Sequence, residues 1–221
     1  MDADAYSRTD LTPAQAAEHD RVFGELAERT RQLMDAQLRT RVDHAEIAEI
    51  TKALGELTDR LLADATPGSL GVQLEDDGTL RNHGNAVVGL RNPIAPPLHV
   101  QRFPEGRSSA SFHLNALYEG PPGLVHGGVS ALILDQMLGE AAAAGSSPGM
   151  TGRLSLSYRR PTPLGALSAE VWIVRVDGVK TTVKGHIKDG AGSPTVEAEG
   201  LFILPRWARE AVARARFDRF E

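Results

Sequence analysis

A chain of 221 residues can form one well-cored domain, or one domain with an appendage. A net charge of −5 gives no bulk electrostatic reason to bind nucleic acid or an anionic membrane. Cysteine is absent, which excludes disulfides, thiolate metal sites and a cysteine nucleophile and suits a cytoplasmic address.

The first ten residues, Met1 to Asp10, are acidic and polar, unlike a signal peptide. Two helical patterns follow. One runs from about Pro13 to Leu38, with Thr12 as N-cap and Pro13 at the first helical position. The other runs from about Asp43 to Ala63. Asp43 and Glu46 form a capping-box pattern, and Ile47, Ile50, Leu54, Leu57 and Leu61 mark one face. The pair is expected to make a helical hairpin over residues 1–66, ending at the break Thr66-Pro67-Gly68.

Past that break the texture changes to strands and turns. Leu98 to Phe103 and Ser108 to Leu114 are predicted strands joined by Pro104-Glu105-Gly106. A helix is predicted from Gly127 to Ala144, with Gly145 placed to end it. Four further strands are expected over 153–159, 166–176, 180–188 and 195–204. Asp177-Gly178 and Asp189-Gly190 give hairpin signals between them. Successive hairpins imply an antiparallel sheet, and the single long helix must pack on it to bury both. The tail 206–221 reads as a short basic amphipathic helix. No stretch approaches the roughly 20 apolar residues of a membrane span.

The predicted helix at 127–144 carries the chemistry. Val129, Leu132, Ile133, Leu134, Met137 and Leu138 cover most of its circumference, so it is expected to be buried. Asp135 stands in the middle of that stretch, where a carboxylate needs a partner or a role. Gly127 and Gly128 leave backbone N–H groups open at the helix start, a ready site for developing negative charge. The bland alternatives are a tight helix start at His126 and an ion pair between Asp135 and a sheet arginine. His19, His44, His83, His99, His113 and His186 show no ligand-like clustering, so no metal is expected.

The run Glu119-Gly-Pro-Pro-Gly-Leu-Val-His126-Gly-Gly, then Asp135, then Tyr158-Arg-Arg-Pro resembles the PaaI-like hotdog thioesterases over roughly Asn92 to Pro205. The resemblance implies an α+β hotdog domain over 67–205, a curved antiparallel sheet around one long helix. It also implies homodimers with active sites at the interface, and hydrolysis of acyl-coenzyme A without a metal or redox cofactor. Carried over, Asp135 is the nucleophile or general base. The amide of Gly128, with Gly127, polarises the thioester carbonyl, and His126 orients the loop or the carbonyl. Thr151 matches a hydroxyl that some relatives place at the start of the next strand; as a residue by itself it is an ordinary strand opener. Many members carry an asparagine six residues before the histidine, where this chain has Gly120. Arg153, Arg159 and Arg160 are candidates for the phosphates of coenzyme A, against the commoner reading of solvated strand-end charges. The rival function is a non-catalytic acyl-CoA-binding protein with a regulatory or delivery role. A hotdog hydratase fits less well, because those enzymes usually place the acid before the histidine.

Overall fold

A computed structural model describes residues 6–74, 80–206 and 209. The chain divides into two compact units, Met1–Ala95 and Pro96–Glu221. The first therefore runs past the composition break at Thr66-Pro67-Gly68, and residues 67–95 go with the helices. The C-terminal helix expected over 206–221 lies, apart from Arg206 and Arg209, outside the described residues.

In the first unit, α1 spans Pro13–Arg39 and α2 spans His44–Leu62. Thr12 caps α1 through a full capping box with Gln15. Asp43 caps α2 by accepting from the amides of Ala45 and Glu46, both at 3.0 Å; the return bond from the Glu46 side chain does not form. α1 and α2 do not pack on one another along their lengths. Only Ala16 and Ala27 of α1 are buried, and no residue of α2 is. Three short strands not anticipated from the sequence, β1 (Tyr6–Arg8), β2 (Val72–Leu74) and β3 (Leu80–Arg81), form a small mixed sheet. Segments of two or three residues carry no periodic signal.

The second unit is a six-stranded antiparallel sheet around a helix. Its strands are β4 (His99–Phe103), β5 (Arg107–Leu114), β6 (Met150–Tyr158), β7 (Gly165–Asp177), β8 (Lys180–Lys188) and β9 (Pro194–Ile203), in the order β4-β5-β7-β8-β9-β6. Inward positions alternate along the central strands: Leu167, Ala169 and Val171 on β7, Val183 and Ile187 on β8. They close over helix α3 (Gly127–Ala144), whose Ile133, Leu134, Met137 and Leu138 are fully buried. A curved antiparallel sheet wrapped round one helix is the hotdog fold.

Two turns differ from expectation in an instructive way. The residue with left-handed backbone after α3 is Ser146, φ 57°, not Gly145. The amides of Ser146 and Ser147 return to the carbonyls of Ala143 and Ala142, which is a Schellman ending. Gly145 is needed for space: a Cβ there would lie 2.5 Å from Ile173 Cδ1. The second difference is at Asp189, whose carboxylate accepts from the amides of Ala191 and Ser193. It organises a wider loop in which Gly192, not Gly190, takes the positive φ.

Candidate functional site

The loop before α3 is clamped on both sides. Glu119 bridges to Val125 and Leu124 to Pro163, while Val125 donates to the Thr162 carbonyl at 2.9 Å. The Glu119 carboxylate accepts from the Gly123 amide, and His126 donates its amide to the Tyr118 carbonyl. The loop passes so close to the helix start that a Cβ on Gly120 would lie 2.8 Å from His126 Cα. An asparagine at position 120 therefore has no room in this loop.

His126 is the N-cap of α3, and its Nδ1 accepts from the Gly128 amide at 3.0 Å. The expectation that Gly128 polarises a carbonyl meets this obstacle: its N–H is spent on the cap. Gly127 is different. Among the described residues its amide has no acceptor, while its carbonyl accepts from the Tyr158 hydroxyl at 2.9 Å. Tyr158 thereby ties the end of β6 to the start of α3, with its ring 3.2 Å from where a Cβ on residue 127 would sit. The open donor at the helix N-terminus is Gly127.

Asp135 lies two turns further on. It is half-buried, and the expectation of a deeply buried carboxylate is corrected, because Gly128, Leu132 and Asp135 share a face that the sheet leaves open; Leu132 is 39% exposed. Asp135 accepts at Oδ1 from the Thr151 hydroxyl at 2.9 Å. Among the described residues it makes no ion pair, so the alternative of an arginine partner on the sheet is not seen. Thr151 reaches it because β6 carries a bulge between Thr151 and Arg153 that re-aims the strand. A Cβ on the intervening Gly152 would lie 2.8 Å from Ile203 Cδ1.

The three candidate phosphate-binding arginines are exposed at β6 and its end. Arg159 pairs with Glu197 at 2.9 Å and Arg153 more loosely with Glu199 at 3.8 Å. Among the described residues Arg160 donates only its backbone amide, to the Thr195 carbonyl.

One grouping could not be anticipated. His19, Asp20 and His83 bring ligand atoms within 4.8 Å of one another, correcting the reading that the histidines do not cluster. The residues come from positions more than sixty apart. Arg81 bonds the Asp20 carboxylate, so the one anion there is already met by a cation. Burial pushes His83 below its ordinary pKa, opposed by Asp20 and helped by Arg81, His19 and Arg91. Burial thus favours the neutral imidazole at His83, and the Asp20 carboxylate is shared with Arg81.

Comparisons with known proteins identify the family to which this fold belongs. A family model described as Thioesterase superfamily matches residues 122–195, from the loop before α3 to the start of β9. "Acyl-coenzyme A thioesterase THEM4" of Xenopus laevis is 32% identical over 101 residues, 45% of this chain. The chain spans less than half of that relative, 46% of its length. The crystal structure of RHA08564, a thioesterase superfamily protein, superposes with a TM-score of 0.73 at 36% identity, over 82% of this chain and 90% of that one. No described helix is long and apolar enough to cross a membrane. With that likeness spanning nearly the whole of a solved relative, the chain belongs to the thioesterase superfamily.

Proposed function

We propose that the protein hydrolyses an acyl-CoA thioester to the free acid and coenzyme A. The observation that carries this reading is the pairing of Asp135 with the Thr151 hydroxyl on the open face of the helix whose start presents the free Gly127 amide. Asp135 takes a proton from water, and the resulting hydroxide adds to the thioester carbonyl carbon. The Gly127 N–H stabilises the oxygen that becomes negative, a contribution typically of about 10²- to 10³-fold in rate. Collapse breaks the carbon–sulfur bond, and the coenzyme A thiolate leaves and takes up a proton. Thr151 holds the carboxylate in place, and His126 holds the helix start. These steps call for no metal or redox cofactor.

Gly127 and Asp135 are eight residues apart, which is about 12 Å along a helix. One carbonyl cannot meet both in a single chain. Two copies with their α3 helices antiparallel bring Gly127 of one chain to Asp135 of the other. β6, which carries Thr151, is an edge strand of the sheet, so a second copy can lie against it. The working form is therefore a homodimer with two composite sites. For the phosphates of coenzyme A we assign Arg160 and its neighbour Arg159 as candidates, with Arg153 further along β6. The relative named as an acyl-coenzyme A thioesterase supports this substrate class, and the lack of cysteine fits a cytoplasmic location.

The test is thiol release from a panel of acyl-CoAs, read with a thiol reagent that meets no background from a cysteine-free chain. Retention of intact acyl-CoA with no release overturns catalysis in favour of a binding protein. Mixing inactive Asp135→Asn and Gly127→Pro chains separates the dimer reading: recovery of activity requires a site built from both copies. No recovery after confirmed exchange of subunits sinks it.

A further inference from the structure

The two helices of the first unit expose what soluble helices normally cover. Ten large apolar side chains between Val22 and Leu62 are more than a third exposed. α2 has no buried residue at all, and a 19-residue helix in water draws most of its stability from packing of its apolar face. The helices do not pack on each other. Instead they border a groove, with one pocket of about 360 Å³ near the connecting turn, lined by Leu33, Ala36, Ile47, Ile50 and Leu54. A second, of about 550 Å³, lies toward the open end, where Phe23 and Leu26 of α1 face Leu61.

We propose that the cleft between α1 and α2 is filled by the same two helices of a second copy of this chain, completing a four-helix bundle. The apolar stripes of both helices converge on the cleft, so each copy offers the surface the other needs, as a two-fold interface requires. The flanking charge is complementary. Between residues 29 and 41 there are four arginines against one aspartate. From Asp43 to Arg60 there are five acids against two bases. A two-fold pair that sets α1 of one copy beside α2 of the other matches the basic stretch to the acidic one. This contact does not depend on the proposed hydrolysis.

Because the chain has no cysteine, Leu33→Cys and Leu54→Cys can be introduced singly and the two variants mixed with a short bis-maleimide. The expected result is a covalent pair of chains in the mixture. Reagent-accessible thiols that give no two-chain product overturn the proposal. So do thiols protected from the reagent without cross-linking, which would show the cleft covered by something else. The second arm places Ile47→Asp and Ile50→Asp, which line the same pocket, together in each cross-linking variant. In a lone chain these changes are mild, since Ile50 is already 36% exposed. In the bundle they bury charge, so the two-chain product should be lost and the helix signal should melt earlier. Unchanged cross-linking and melting would count against the interface. Failure of thioester hydrolysis would leave all of these readouts in place.

Discussion

Helices α2 and α3 are nearly equal in length, at 19 and 18 residues, and they end up in opposite surroundings. α2 has the cleaner amphipathic stripe, yet none of its residues is buried. α3 has almost no apolar face because it is apolar nearly all round, and seven of its residues are buried. Periodicity says which side of a helix seeks cover; composition says how much cover it needs. α3 needs a sheet on most sides and has six strands to supply it. α2 needs one partner, and among the described residues does not have one.

The comparison breaks most directly at Leu134 and Leu57. Leu134 is fully buried, so Leu134→Ala should cost about 2–5 kcal/mol of unfolding free energy. Leu57 is 49% exposed, and Leu57→Ala in a single chain should change stability by no more than about 0.5 kcal/mol. Denaturant unfolding of both variants across protein concentrations checks this. A Leu57→Ala effect that grows toward the Leu134→Ala value at high concentration would show α2 acquiring cover by association.

The exposed face of α3 is sharpened by Asp135→Asn. Asparagine keeps the size and can still accept from Thr151, and no cation is left stranded. Stability should be unchanged while kcat falls by about 10²-fold or more. Parental turnover by a folded variant would remove Asp135 from the mechanism. A smaller effect is expected at the loop that precedes α3. Gly120→Asn must displace His126 backbone, at a cost of about 1–3 kcal/mol, with a loss of activity through the helix start. A thermal melt equal to the parent's would show that the loop has more room than its contacts allow.

What the sequence made legible was local or repetitive. Thr12 and Asp43 cap their helices because a cap needs only neighbours along the chain. The strand runs and Asp177-Gly178 give the sheet because each hairpin reads from its own residues. The site was half legible. His126, Asp135 and Thr151 were visible as residue types in a spacing, but which glycine amide stays open is decided by where the His126 ring turns, and that leaves Gly127 rather than Gly128 as the open donor. The exposure of Asp135 depends on how far the sheet reaches round α3, a property of curvature that no single strand encodes. His19 and His83 meet only because the chain returns to α1 through β3, a strand of two residues.

The smallest expected effect separates the two units by pH. His83 is 8% exposed, and burial is the main reason its imidazole titrates below the ordinary 6.5. His19 moves the same way, first through burial and then through Arg91 and Arg81. The folded state therefore binds these protons less readily than the unfolded chain does. Their contribution to stability is complete above the unfolded value of 6.5 and is lost as pH falls below it, while the unfolded histidines protonate and the folded ones resist. In the second unit, Glu170 is held below the ordinary carboxylate value of 4.5, chiefly by its hydrogen bond from Lys188 and against the opposing cost of burial. Its contribution is present above 4.5 and lost only on further acidification. Half-exposed, it is also weaker. Lowering the pH from 7.5 to 5.5 should thus lower amide protection factors, that is exchange corrected for its base-catalysed intrinsic rate, around His83 and Arg91 in the first unit before it touches β7 and β8 in the second. His83→Gln should flatten that dependence, since glutamine cannot take up the proton. Equal protection factors at the two pH values in the parent would mean that these imidazoles are not what joins the 83–93 segment to α1.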